Sequence, residues 1–113
     1  MKGATETLAL TDGELTVILQ LLKRHIPNTV VWAYGSRVNG NARPSSDLDL
    51  VAFIDTEQTL AISTLREAFD ESNLPFRIDL FVWDQIPDAF KAVIREKHVI
   101  IQNGHNRVNW ENL

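Results

Sequence analysis

Hydrophobic and polar positions along the chain change period several times, and each change marks an element. Leu15, Ile18, Leu19, Leu22 and Ile26 recur at helical spacing. Ahead of them, Thr11-Asp12-Gly13-Glu14 has the form of a capping box. The Thr11 hydroxyl can serve an early amide while Glu14 reaches back to the amide of Thr11, with Leu10 and Leu15 as a hydrophobic staple. Lys23, Arg24 and His25 fall where a helix dipole favours positive charge, and Pro27 stops the run. Thr29 to Tyr34 is β-branched and aromatic and runs into Gly35-Ser36, which predicts a strand ending in a tight turn. Asp47 to Ile54 predicts a second strand, and Gln58 to Ser72 a helix with Leu65, Ala68 and Phe69 inward, closed by Asn73-Leu74-Pro75. Phe76 to Val82 alternates strictly, with Arg77, Asp79 and Phe81 on one face and Ile78, Leu80 and Val82 on the other. Pro87 suits the first position of a last helix on which Phe90, Val93, Ile94 and Lys97 share a face, and Val99 to Gln102 predicts a short closing strand. Strands and helices in this order predict an α+β domain over residues 1–102, and the polar run from Asn103 to the end predicts a loose tail carrying Trp110.

Composition narrows the setting. The 113 residues carry 11 basic and 15 acidic side chains, a net charge of −4, and no cysteine. One domain with one core is expected, with neither disulfides nor a thiolate zinc site. No signal peptide and no stretch of about 18 apolar residues is visible, so a cytoplasmic protein without a membrane span is expected. The acidic excess argues against sequence-independent grip on nucleic acid, which needs clustered Lys and Arg. Any phosphate must then be held locally.

The chemistry concentrates in Gly35 to Leu50. Asp47 and Asp49 lie two residues apart in a strand, so both carboxylates leave the same face about 6.8 Å apart along the chain and can converge on one cation. Like charges that close resist joint ionisation unless a cation lies between them, and a hard divalent ion with oxygen ligands suits them. Asp79, on a third strand with the same alternation, would complete a three-carboxylate platform able to carry two ions and receive a triphosphate. A single strand-end Asp is as readily a cap or a solvated residue; the pair behind Gly-Ser is what raises the trio above that. Glycine at position 35 lets the backbone approach phosphate, and the Ser36 hydroxyl with the amides of a helix start can hold phosphate oxygens, although Gly-Ser is also an ordinary capped turn. Arg37 and Arg43 either neutralise phosphate or pair with surface acids. Gly40 is placed to end the short helix in a left-handed conformation. Ser46 caps its loop or reaches the nucleotide. His25 and His98 lack a partner at metal-ligand spacing, His105 falls in the solvated tail, and Trp32 and Trp83 belong to the core or line a groove.

Gly35-Ser36, ten further residues, Asp47-x-Asp49 and a later strand Asp79 together resemble the DNA polymerase β-like nucleotidyltransferase superfamily. More narrowly, the chain resembles the minimal nucleotidyltransferases (MNT antitoxins) encoded beside HEPN-domain proteins. The resemblance implies a small mixed β-sheet with helices packed on one face. It also implies two Mg²⁺ held by Asp47, Asp49 and Asp79, and Gly35 and Ser36 on the nucleotide phosphates; ATP is the expected donor, and Arg37 and Ser46 are, by their residue types and positions, candidate further nucleotide contacts. Val38 departs from the small residue usual there. Polymerase-like enzymes usually add a helical domain for base and acceptor, for which 113 residues leave no room. The expectation is therefore transfer of AMP to a hydroxyl, a tyrosine by resemblance, of a partner HEPN toxin that the transfer silences. Two alternatives stand beside it: a non-catalytic antitoxin that covers its partner, and an aminoglycoside-type small-molecule nucleotidyltransferase subunit.

Overall fold

The structure is a computed structural model that describes residues 8–104; the tail predicted beyond Gly104, with His105 and Trp110, lies outside the described residues. Helix α1 (Asp12–His25) opens with the expected capping box: the Glu14 amide donates to Thr11 Oγ1 at 3.1 Å and the Thr11 amide to Glu14 Oε1 at 2.9 Å. Strand β1 (Val31–Tyr34) runs into a four-residue helix α2 (Ser36–Asn39), and β2 (Leu48–Ala52) follows the intervening loop. A 3₁₀ turn at Thr56–Gln58 leads into α3 (Thr59–Asp70), then β3 (Ile78–Val82), α4 (Asp88–Glu96) and β4 (Val99–Gln102). Every predicted element is present; β4 has the expected bounds, β1 and β3 start two residues later than the pattern suggests, and β2 and α3 are shorter at both ends. Pro87 stands one residue before α4, not inside it, and Lys97 already has extended backbone.

The sheet order is β3-β2-β1-β4. β1 pairs antiparallel with β2 and β4, while β2 and β3 are parallel neighbours joined across α3. Parallel strands cannot be linked by a hairpin, so the helix between them follows from the pairing itself. Period-two alternation divides the sheet into two sides. Val31, Ala33, Leu48, Leu50, Ala52, Ile78, Leu80 and Val82 face α1 and α3, where Ile18, Leu22, Ile62, Leu65 and Phe69 close the main core. The intervening positions Val30, Trp32, Tyr34, Val51 and Phe53 form a second cluster on the other side with Trp83, Ile86 and Ile94. Both tryptophans are therefore core residues. The mixed α+β sheet agrees with expectation, but the helices do not all pack on one face: the nine-residue α4 covers part of the second side through Ile94, because that side too carries apolar side chains, and leaves the rest open. β3 is an edge, and Arg66 blunts it by donating from Nε and Nη2 to the Leu80 carbonyl at 3.0 and 2.8 Å. No helix among the described residues is long and apolar enough to cross a membrane.

Candidate active site

The open part of the second side carries the three aspartates. Asp49 is the register partner of Asp79 across the parallel pair and of Tyr34 across the antiparallel one. Equal parity in the register puts Asp49 and Asp79 on one face, and Asp47, two residues before Asp49, shares it. Arg77 joins them from the start of β3: its Nε lies 3.1 Å from Asp79 Oδ1, and its Nη2 lies 3.3 Å from Asp47 Oδ2 and 3.4 Å from Asp79 Oδ2. Among the described residues no acidic or imidazole trio is closed into a ready ligand cluster. The Arg77 guanidinium stands between Asp47 and Asp79.

Gly35 positions Asp49. Its φ of 84° is one that side chains rarely adopt, and a Cβ there would run into the Asp49 carboxylate. The glycine is thus required twice, by its turn and by the approach of a charged oxygen to the backbone. The Val38 and Asn39 amides close α2 onto the Gly35 carbonyl, both at 3.0 Å, and Gly40, also at φ 84°, ends the helix in the left-handed conformation expected of it. Ser36 is half-buried at the start of this helix.

Arg37 has partners that the sequence does not announce. Its side chain is buried, away from surface acids, and donates to four backbone carbonyls: Ala9 at 2.6 Å, Ser46 and Pro44 at 3.0 Å, and Arg43 at 3.4 Å. The guanidinium also stacks 4.0 Å over the Phe76 ring. It ties α2 to the loop that delivers Asp47. In the same loop the Ser46 hydroxyl accepts from the Arg43 amide at 2.8 Å and the Ser46 amide donates to the Arg43 carbonyl at 2.9 Å, so Ser46 caps the turn.

The electrostatics follow from this crowding. The Asp49 carboxyl is pushed up to about 6, first by burial and then by the charges of Asp79 and Asp47, against the pull of Arg77. Burial first, and then Asp49 and Asp79, hold the Tyr34 hydroxyl well above its ordinary value, so it stays protonated. Arg77 is held more firmly protonated by its hydrogen bond to Asp79 and the charges beside it. An all-oxygen donor set on neighbouring strands, with like charges pressed together, fits a hard divalent cation.

Beside Asp49 a cleft of about 230 Å³ opens between the end of β1, α2 and α4, lined among others by Tyr34, Asn39, Phe90, Val93 and Lys97. The predicted shared face of α4 therefore fronts this cleft, with only Ile94 buried. Larger hollows of about 430 and 480 Å³ lie between α1 and α3 and at the far ends of β2 and β3, away from the aspartates, while one of about 410 Å³ runs along β3 and is lined by Arg77 and Asp79. Chemistry, not size, selects the smaller cleft, which is lined by both Gly35 and Asp49. The contribution of Arg77 was foreshadowed only by its sharing a face with Asp79. Tyr34 was marked only as ending a strand at Gly35 and Lys97 only as sharing a helix face with Phe90, Val93 and Ile94, and Asn39 carried no signal.

Residues 17–106 match the family model described as "Polymerase beta, Nucleotidyltransferase". A curated relative from Haemophilus influenzae (strain ATCC 51907 / DSM 11121 / KW20 / Rd), described as "Probable protein adenylyltransferase MntA", is 42% identical over 103 residues, spanning 89% of this chain and 90% of the relative. The fold also resembles two solved structures. A toxin-antitoxin structure with AMP-PNP superposes with a TM-score of 0.65 at 20% identity, covering 80% of this chain and 74% of that one. A mutant MntA toxin-antitoxin structure gives 0.51 at 16% identity, over the same shares of the two chains.

Proposed function

The chain belongs to the polymerase beta nucleotidyltransferase family, and from that premise we propose that it transfers AMP from ATP, with Mg²⁺, to a tyrosine hydroxyl of a HEPN-domain toxin, releasing pyrophosphate, and is the antitoxin of that pair. The observation that carries the reading is the Asp49–Asp79 register, which sets two carboxylates side by side on the open face with Asp47 next to them and Gly35 against Asp49. The relative's description as a protein adenylyltransferase and the toxin-antitoxin assemblies of the structural neighbours support the acceptor class.

Asp47, Asp49 and Asp79 would hold two Mg²⁺, which when bound neutralise charge on the attacking and leaving oxygens of an in-line displacement. Gly35 keeps side-chain bulk away from Asp49, and Ser36 at the start of α2 presents a hydroxyl beside it for phosphate. The cleft under α4, with Asn39, Lys97 and the Phe90 ring, takes the rest of the nucleotide. Asp79, on the edge strand, is the best placed of the three to accept the acceptor's hydroxyl proton. Tyr34, held protonated, is a hydrogen-bond donor and not a competing nucleophile. Around the carboxylates Phe81, Phe90 and Val93 are 42%, 44% and 61% exposed, an apolar rim against which an acceptor protein can dock.

The test mixes the chain with ATP, Mg²⁺ and its HEPN-domain partner and weighs the products. One AMP added to a partner tyrosine, lost on Asp47→Asn or Asp79→Asn, is expected. Protection of the partner without any added mass, undiminished by Asp79→Asn, would instead mean neutralisation by covering alone. AMP appearing on an aminoglycoside with no second protein present would mean a small-molecule enzyme.

A further inference from the structure

We propose that Arg77 is a built-in counter-cation of the carboxylate trio, occupying the position of the metal and leaving it when the metal arrives. The inference rests on the reading of Asp47, Asp49 and Asp79 as metal ligands and adds a residue that reading does not need. The Arg77 backbone is fixed, because its carbonyl accepts from the Leu48 amide at 2.9 Å at the start of the parallel pair. Its side chain is not: it is 66% exposed and so can swing away without disturbing the core. Where it lies now, one guanidinium meets both Asp79 oxygens and one oxygen of Asp47.

Those are the oxygens a divalent ion needs. Mg²⁺ requires them at about 2.0–2.1 Å in near-octahedral array, whereas a planar fork spans two carboxylates at hydrogen-bond distance. Both cations cannot use the same lone pairs, so metal uptake is an exchange. Without metal, the guanidinium keeps three like charges from repelling freely; with metal, it is released on the open face of the sheet. A lysine would keep the charge and lose the bridge, since an ammonium is a point donor without the planar fork. That difference separates a bridging counter-cation from a merely positive neighbourhood.

Mn²⁺ binding to the full chain without nucleotide, followed by electron paramagnetic resonance at low salt, tests this in the wild type, Arg77→Met and Arg77→Lys. Screened pairs of this kind support an effect of up to about fivefold. Arg77→Met is expected to bind Mn²⁺ that much more tightly, and Arg77→Lys to fall nearer Met than the wild type. The metal-free melting temperature of Arg77→Met should drop, and the rise on adding Mg²⁺ should grow. Equal or weaker binding by Arg77→Met, or a lysine variant indistinguishable from the wild type, overturns the assignment while leaving the metal ligands in place. If neither the wild type nor Arg77→Met takes up Mn²⁺, even with ATP present, the metal reading and this inference fall together.

Discussion

Asp49→Asn replaces a crowded carboxylate by a neutral group of the same shape, and the structure predicts that the metal-free protein becomes more stable. The carboxyl is raised from an ordinary 3.8 to about 6. That difference corresponds to about 3 kcal/mol between the protonation states. Because the side chain is only half-buried, solvent screening brings the usable part down to about 1–2 kcal/mol. The sign follows from proton linkage. Between 3.8 and 6 the folded protein holds a proton that the unfolded chain has given up, so wild-type stability falls as pH rises through that window and stays lower above it. Asparagine removes the loss. At pH 7.5 without divalent metal, the variant should melt roughly 4–8 °C higher, and the gain should shrink below pH 6 and vanish below about pH 4. Thermal unfolding in EDTA across that range, both proteins side by side, measures it. With Mg²⁺ the order should reverse, because the wild type gains a ligand that the variant has weakened. An asparagine variant no more stable at pH 7.5, or a gain that does not depend on pH, would refute the picture of carboxylates pressed together on this face.

Gly35→Ala places a methyl group against the Asp49 carboxylate at a φ that alanine disfavours; it should lower stability by about 1–3 kcal/mol and abolish AMP transfer, read by urea titration and by labelling of the partner. Arg37→Met leaves four carbonyls without their shared donor and should lower stability by about 3 kcal/mol, whereas loss of nucleotide affinity with stability intact would make Arg37 a phosphate ligand and not a structural tie. At subsaturating Mg²⁺, transfer activity should decline as pH falls through about 6, because the proton then on Asp49 competes with the metal. Saturating Mg²⁺ should move the decline to lower pH; pH profiles of initial rates at two Mg²⁺ concentrations check it.

The sequence made legible whatever depended on period and on residue type at a fixed spacing. Thr11 and Glu14 announced the cap of α1, and the alternation of Phe76 to Val82 announced which side of β3 is core. Asp47, Asp49 and Asp79 were legible as candidates because charge in or beside a strand contradicts local preference and so calls for a reason, while Gly35, an ordinary turn residue alone, drew weight from standing ahead of them. The two arginines were not. Arg37 and Arg77 are the same residue type near the same loop, yet one is buried under four carbonyls and the other bridges two acids on the surface. Their roles depend on where distant carbonyls and carboxylates end up, Ala9 for one and Asp47 for the other, and no spacing rule encodes that. The face of α4 was read correctly as a face, but its destination, a cleft and not the core, depends on how little of the sheet nine residues can cover.

Core and site share a single constraint. Leu48, Leu50 and Ala52 of β2 stand opposite Ile78, Leu80 and Val82 of β3, and all six point into the main core. The side-chain period is two, so any shift of β3 by one residue would bury Asp79 and expose three aliphatic side chains. Burying an unpaired carboxylate is far more costly than leaving the strand in place. The same packing that holds the sheet in register therefore sets Asp79 beside Asp49, before any ligand acts on either. Convergence of the acids is thus a consequence of where the hydrophobic residues stand, and the like-charge repulsion it creates is tolerated because the opposite face of the same two strands is dry and closely packed.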